Sequence, residues 1–466
     1  MTSKAREKYD VVIVGASIAG CAAAIMYAQQ GLRIALLDAR SDIRAHKVLC
    51  THHLQPCGAP ILQRLGATEK LLALGMVETV PTFWTPWGVI TPDAAENSPP
   101  PGFNVRRETL DPLLRQLAND YPNVDLLLGY RVSGLLTENG TTAGVYGTEQ
   151  GSVFTVEARL TVGADGKDST VARSARCDSV TASNGRFSYF AQLSGLERPG
   201  GETSLSWFMD PDVAYLLPND GGISVLVVFP ALDKLGSFAD DLSTAFLEYA
   251  NALPGAPLVR REHIVGKIVG TKHFSTTLTE PVGNGFALIG DAAATNDPLW
   301  GIGCSWALET AQMLVDATAH MLTETPADTL DSHRNVNAAL TEYRSARASM
   351  TNHIDYMSGY AGGRKFTAIE RLLISAATHD HDEARRFYLF GSRLIPANSI
   401  SRLARSRGQH KNISGTVCVV DLWPGRNLTS VFSAPATGNP PIATEPEERP
   451  CVHTSPFRVN RLVTGT

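Results

Sequence analysis

Pairable cysteine is scarce in this sequence. The seven cysteines (Cys21, Cys50, Cys57, Cys177, Cys304, Cys418 and Cys451) are odd in number and scattered without a C-x-x-C pair. Neither a disulfide framework nor a zinc knuckle is expected, and the thiols read as the reduced set of a cytosolic protein. Long apolar runs are missing too: stretches such as Ile223 to Pro230 fall far short of the roughly 20 residues that span a bilayer. The opening MTSKAREKYD is charged and offers no apolar signal region, so the expectation is a cytoplasmic chain that is not secreted and has no transmembrane segment. Nor does one charge dominate. Lys and Arg number 41 against 46 Asp and Glu, a net charge of −5, which gives no electrostatic reason to expect nucleic acid as a partner.

What the chain does have is apolar residues, 43% over 466 positions. A single core stops growing near 250 to 300 residues, so two or three packed units are expected, with room for a deeply enclosed ligand. Tyr9 to Val14 is a buried-strand run that meets Gly15, then a small-residue helix over Ser17 to Gln30 and a second strand over Arg33 to Leu37, a βαβ opening. Leu110 to Leu117 reads as a helix, Val124 to Leu136 and Ala143 to Glu157 as strands, and Arg159 to Val162 leads into the glycine-rich GADGKDS. From about Phe187 to Val269 the texture turns to short strands with a PNDGG hairpin signal, an antiparallel sheet inserted into an α/β frame. The α/β texture returns at Gly285, Leu340 to Ser406 is helical by pattern, and the tail from Gly408 is proline-rich and irregular.

Three glycine-rich elements carry the chemistry. Gly15-Ala16-Ser17-Ile18-Ala19-Gly20 joins a strand to a helix, with Asp38 closing the second strand. This is the context in which a tight turn, a close backbone approach and a helix N-terminus hold a pyrophosphate while an acidic side chain meets a ribose diol. Ser17 stands where the fingerprint has its second glycine. The other two are Gly163-Ala164-Asp165-Gly166-Lys167-Asp168-Ser169 and Gly290-Asp291-Ala292-Ala293, the latter followed by Asp297-Pro298 and Gly301-Ile302-Gly303. In this order, over about residues 9 to 320, the three resemble the para-hydroxybenzoate hydroxylase-like, or class A, FAD-dependent monooxygenases.

That resemblance implies an α/β fold: a discontinuous Rossmann-type FAD-binding domain, an inserted antiparallel-sheet substrate domain and a helical C-terminal region. The expected division is 1–80, 101–180 and 270–325 for FAD, 81–100 and 181–269 for substrate, 326–407 helical and 408–466 as tail. It assigns Gly15, Ser17, Ile18, Ala19, Gly20, Asp38, Ala39 and Arg40 to the ADP end of FAD. Asp165 belongs to the motif that closes over the pyrophosphate, and Asp291 to the ribityl chain. Pro298, Gly301 and Gly303 lie beside the isoalloxazine, where N–H dipoles steady the negative charge of the reduced ring. Arg107 matches a cofactor-side arginine, and Arg44 is a candidate for the adenine side or an incoming nucleotide. Ala172, Ala294 and Ser305 depart from residues common in the family and bear on subfamily, not cofactor.

The resemblance also implies noncovalent FAD, NADPH or NADH as reductant, O2 as co-substrate, and hydroxylation or epoxidation of a small, largely apolar aromatic or polycyclic molecule in specialised metabolism. An FAD-dependent alkene reductase of the prenyl-reductase type is the alternative, ahead of a non-catalytic flavoprotein or a halogenase. Trp84-Thr85-Pro86-Trp87 does not match the W-x-W-x-I-P block of tryptophan halogenases. Strand alternation places Tyr189 on one face together with Phe187 and Ala191, and Trp207 and Met209 with Leu205; with Tyr215 and Trp300 these are the candidate substrate wall. Cys50-Thr51-His52-His53 has no tetrahedral spacing, since adjacent histidines in extended chain point to opposite sides, so no metal is expected. One of His52 or His53 is a candidate proton relay, and no catalytic base is named.

Overall fold

The computed structural model describes residues 8–92, 98–198, 201–272, 274–325 and 331–396. Strand β1 (Lys8–Val14) lies between two parallel partners, β2 (Ile34–Asp38) and the long strand Ser152–Gly163. Phe286–Leu288 extends the parallel set on one side and Val124–Leu128 on the other, and the sheet totals eight strands. Helix α1 (Ile18–Gln29) crosses between β1 and β2. Its alanines are buried against the helix Gly303–Glu324 in one core cluster, and their small side chains let the two backbones approach closely.

Two expected strands divide. Val124 to Leu136 breaks at Gly129, whose φ is 82°, and Ala143 to Glu157 folds back at Gln150-Gly151, with φ of 48° and 83°. The residues around that second turn, Glu149-Gln150-Gly151-Ser152, lack the Asn-Gly or Asp-Gly signal that marks a tight hairpin. The PNDGG hairpin forms as expected: Val213–Pro218 pairs antiparallel with Ser224–Phe229 and closes at Pro218 opposite Ser224.

The second sheet has seven strands in the order Ile264–Thr271, Ser188–Leu193, Ser224–Phe229, Val213–Pro218, Leu205–Phe208, Thr82–Thr85, Gly88–Ile90. Both faces are covered. Phe83, Phe190, Phe208, Tyr215 and Phe229 pack on one side toward the helices Ala368–Ala377 and His381–Gly391, while Phe187, Trp207, Phe238 and Phe246 pack on the other around Leu242–Asn251. The helix Asp331–Ala361 starts ahead of Leu340, where the helical pattern begins, and ends before Gly363, at φ 87°. A capping box of Thr367 and Glu370 restarts it. The expected tail, 408–466, lies outside the described residues. No helix among the described residues is long and apolar enough to cross a membrane.

One buried ion pair ties the segment leading into the second sheet to the loop before the Leu299–Gly301 turn. Arg186 Nη2 donates to Asp297 Oδ2 at 2.7 Å with both side chains almost wholly buried, and Asn184 Nδ2 donates to the same oxygen at 2.5 Å. Asp297 Oδ1 accepts from Leu299 N–H at 2.8 Å, which fixes the turn that follows. Arg186→Met is expected to lower unfolding stability by about 3–5 kcal/mol, because it strands a buried carboxylate. Adding Asp297→Asn removes that charge and recovers at least half of the loss, as read from the midpoint of urea unfolding.

Candidate active site

β1 runs out at Gly15, whose φ of 105° suits glycine and whose N–H bonds Leu37 O at 2.7 Å. A Cβ here would lie 2.4 Å from Ala164 O, and one at Gly20 would lie 1.8 Å from Gly15 O. The N-terminal turn and the GADG turn therefore touch backbone to backbone. The amides of Ile18, Ala19 and Gly20 precede the first bond of α1, Cys21 N–H to Ser17 O at 2.9 Å, leaving a helix N-terminus of the kind that binds anions. Ser17 caps the helix without a side-chain bond to it; its Oγ accepts from Arg107 Nη2 at 2.7 Å instead.

Arg107 opens the helix Arg107–Asn119 and is buried. Its Nε and Nη2 donate to Asp111 at 2.8 and 2.9 Å, so the guanidinium is neutralised in place and aimed at the turn. Two helical turns beyond Arg107, Arg115 donates through Nε to Ala16 O at 2.7 Å and through Nη1 to Ile43 O at 2.8 Å and to Ala45 O. Residues at i, i+4 and i+8 of one helix thus bracket the dinucleotide turn.

Asp38 is buried and its carboxylate accepts from Ala16 N, Arg40 N, Arg40 Nε and Arg40 Nη2, all within 2.9 Å. Burial pushes its pKa up, but the Arg40 bonds outweigh that and hold it below the usual carboxylate range. Ala39 and Arg44 are exposed, the latter with its N–H on Asp42. The Asp165 carboxylate is turned inward, accepting Ser169 Oγ and Thr170 N, each at 2.6 Å, so it braces the GADG turn rather than opening outward. Burial pushes it upward. Asp291 is paired with Lys47 at 2.7 Å. Pro298 leads into Leu299–Gly301, where Trp300 and Gly301 have φ of 64° and 63°. Gly303 then starts the helix Gly303–Glu324; it is exposed and a Cβ there would meet nothing within 4 Å. Two open helix N-termini, a neutralised arginine and bare backbone at Gly166 and Gly303 form a donor set that fits a pyrophosphate linked to a flat, electron-accepting ring.

Beyond that turn lies a cavity lined among others by Thr51, His53, Phe83, Ser206, Tyr215 and Trp300. The Trp300 ring sits 4.7 Å from Phe208 and 5.2 Å from Phe387, and Trp300 N donates to Tyr215 Oη at 2.9 Å. Gln55 locks the wall. Its Nε2 donates to Trp300 O at 3.1 Å and Gly391 O at 2.7 Å, its N to Ser305 Oγ at 2.7 Å, and its Oε1 accepts from Arg393 Nε at 2.8 Å.

The candidate wall residues divide. Tyr215 and Trp300 line the cavity, whereas Tyr189, Trp207 and Met209 lie on the far face of the sheet. There Trp207 Nε1 bonds Pro254 O at 2.8 Å and Tyr189 stacks on Phe238 at 5.6 Å. Period-two alternation sorts residues into two faces, but this sheet is buried on both, so alternation does not say which one meets the cavity. Ser204 and Ser206, on the opposite phase, are the ones that do.

Lys47, Gln55, Phe83, Asn104, Arg115, Tyr388 and Ser392 went unassigned in the sequence, since their placement depends on contacts far apart in the chain. Arg115, eight residues after Arg107, was the most readable of these. His52 and His53 point to different places, but His52 has φ of 59° and so is not in the extended chain that alternation assumes. His52 Nδ1 accepts from Arg107 N–H at 2.9 Å, and His53 faces the cavity. Cys50 and Cys304 bring their sulfurs within 3.6 Å as free thiols; that contact, with Arg107 nearby, holds Cys50 well below the usual thiol range. Among the described residues no group of three or more His, Cys, Asp or Glu could hold a metal.

Residues 8–342 match the model of a family described as FAD binding domain. Among curated proteins, the chain is 26% identical over 330 residues to digeranylgeranylglycerophospholipid reductase 1 of Methanococcoides burtonii, covering 68% of this chain and 76% of the relative. It is 25% identical to squalene epoxidase 5 of Arabidopsis thaliana, covering 91% and 82%. Among solved structures, the flavin-dependent brominase Bmp2 superposes with a TM-score of 0.69 at 18% identity, over 87% of this chain and all of that one, a likeness of fold. With its turns, helix N-termini and buried arginine arranged as this cofactor requires, the chain belongs to the FAD binding domain family typical of class A FAD-dependent monooxygenases, and it is an FAD-dependent oxidoreductase.

Proposed function

We propose that the chain is a monooxygenase that uses NADPH or NADH and O2 to hydroxylate or epoxidise a small, largely apolar aromatic or polycyclic compound, in specialised metabolism. The observation that carries this reading is the aromatic cavity closed against the Trp300–Gly303 turn, where the family holds the reacting edge of its flavin. FAD supplies the redox chemistry and the activation of O2. The chain's own residues bind, orient and keep water out.

Arg107 and the N-terminus of α1 take the pyrophosphate, with Asp38 and Arg40 beside the ribose and adenine. Lys47 and Asp291 form an exposed pair that opens or shifts to meet the ribityl chain. The N-terminus of Gly303–Glu324 offers the amides of Gly303, Cys304 and Ser305 ahead of its first bond, Trp306 N–H to Ile302 O at 2.8 Å, where negative charge develops on the ring. Phe83 and Trp300, backed by Phe208 and Phe387, give the substrate a dry, flat-sided wall. Likeness to a reductase acting on an isoprenoid lipid supports the second reading, an FAD-dependent alkene reductase.

Labelled dioxygen separates the two. A monooxygenase consumes O2 in step with substrate and leaves one heavy oxygen atom in the product, whereas a reductase consumes reductant with neither. Arg107→Met is expected to weaken FAD binding at least tenfold, about 1.4 kcal/mol or more, by removing a charge-assisted partner of the phosphates; flavin retained per chain after dialysis measures it. Ser206→Leu, on the cavity face, is expected to lower kcat/KM at least tenfold by filling substrate space, roughly the discrimination one or two methylenes impose in a pocket. Leu205→Ile, on the far face of the same strand, leaves kcat/KM within about twofold, with flavin content equal in both variants.

A further inference from the structure

Cys50 and Cys304, 254 positions apart in the chain, bring their sulfurs within 3.6 Å as free thiols. Cys304 is the second residue of the helix Gly303–Glu324 and is buried, while Cys50 lies half-buried in the irregular segment 47–52. Three donors meet the Cys50 sulfur: the thiol of Cys304, His52 N–H at 3.2 Å and Arg107 Nη1 at 3.8 Å. The Cys304 bond above all, then the charges of Arg107, His52 and Lys47, holds Cys50 well below the usual thiol range against the pull of burial. Its bond to that thiolate, with burial, pushes Cys304 well above the range, so Cys304 keeps its hydrogen. The other free cysteines among the described residues are the reverse case: burial pushes Cys177 to about 11, Cys57 to about 12 and Cys21 higher still. Thiolate character decides which cysteine oxidises.

We propose that Cys50 and Cys304 are an oxidation site: hydrogen peroxide converts them to a disulfide, which fastens segment 47–52 to the helix Gly303–Glu324 and slows the exchange of FAD. This rests on the cofactor site described above and not on which reaction runs there. The Cys50 thiolate attacks one peroxide oxygen; the O–O bond breaks and an S–O bond forms, leaving a sulfenic acid and hydroxide. The Cys304 sulfur then attacks the Cys50 sulfur. The S–S bond forms, the S–O bond breaks, and the departing hydroxide takes the Cys304 hydrogen and leaves as water. The two sulfurs lose two electrons and the peroxide gains them. To reach bonding distance the sulfurs close by about 1.5 Å, a shift within reach of a segment in neither helix nor strand. A small thiol reverses the bond by exchange, so the device resets.

The segment is placed to matter. Lys47 Nζ is paired with Asp291 at 2.7 Å and its backbone N–H donates to Asp111 at 3.2 Å, while His52 Nδ1 accepts Arg107 N–H at 2.9 Å. Cys50 thus lies between the pair assigned to the ribityl chain and the arginine assigned to the pyrophosphate. Cofactor that enters or leaves has to open the Lys47–Asp291 pair and move this segment, which is held by hydrogen bonds and ion pairs that water can replace and which exposes Val48 to solvent. A covalent tie to the helix whose first amides face the ring removes that freedom. Oxidation also removes the negative sulfur beside Arg107, whose guanidinium keeps Asp111 and Ser17 and is freer to hold phosphate. Both effects slow release.

The test uses the full-length, FAD-loaded chain treated with hydrogen peroxide. Peptide mapping after alkylation is expected to find Cys50 linked to Cys304, with Cys57 and Cys177 still alkylated and dithiothreitol reversing the link. FAD release, followed as the rise in flavin fluorescence after dilution, is expected to slow at least about tenfold on oxidation and to recover on reduction. Cys304→Ser forms no link, leaves Cys50 as a sulfenic acid that dimedone traps, and releases FAD at one rate with or without peroxide. Cys50→Ser leaves Cys304 unmodified. No link in the native chain, or modification of Cys57 or Cys177 as fast as Cys50, overturns the proposal. A link that leaves FAD release unchanged overturns it and spares the cofactor site. A link in a chain that takes up no FAD sinks the proposal and the cofactor site together.

Discussion

Two backbone turns meet with no room for a side chain between them, and the rest of the molecule is arranged around that meeting. The space in which a Cβ of Gly15 would stand is filled by the carbonyl of Ala164, and that of Gly20 by the carbonyl of Gly15. β1 and Ser152–Gly163 are parallel neighbours, so their C-terminal ends arrive together, and ligands in such sheets bind outside those ends. Because the approach is made by backbone alone, α1 presents its first amides directly above the sheet edge. The polar side chains that complete the site come from elsewhere: Arg107 and Arg115 from a helix about 90 residues on, Lys47 from the segment after β2.

The second half of the site depends on the turn at Trp300. A tryptophan with φ of 64° is a costly conformation for a residue with a side chain, and several contacts hold it there. Asp297, itself fixed by Arg186, braces the turn from one side; Tyr215 takes the Trp300 N–H and Gln55 its carbonyl; and the indole lies against Gly391, where a Cβ would come within 2.0 Å of it. Through Gln55 and Arg393 the C-terminal helices become part of the cavity wall instead of an appendage. The same turn closes the cavity and leads into the helix Gly303–Glu324, so in the proposed function one strained segment serves both substrate and cofactor.

Much of this was legible in the sequence because it is written in local signals. The βαβ opening, the PNDGG hairpin and the three glycine-rich turns each declare themselves within a few residues, and the turns fix the cofactor class. The cavity was legible only in part. Trp300 and Tyr215 were readable from their places in the turn and the hairpin, but Tyr189, Trp207 and Met209 belong to the far face, since a sheet buried on both sides shows apolar residues in both phases. Gln55, Asn104 and Lys47 gain meaning only from partners dozens to hundreds of residues away, through contacts that no local pattern records. The break at Gln150-Gly151 escaped because its turn residues are uncommon at tight hairpins.

The account stands or falls on whether these converging turns clasp FAD. Calorimetric titration of FAD into the full-length chain, freed of flavin beforehand, tests it most directly. One tightly bound FAD per chain, displaced by neither FMN nor riboflavin, is the result predicted, because most of the assigned donors face the pyrophosphate and adenosine half. No heat of binding, or equal binding of riboflavin, would contradict it.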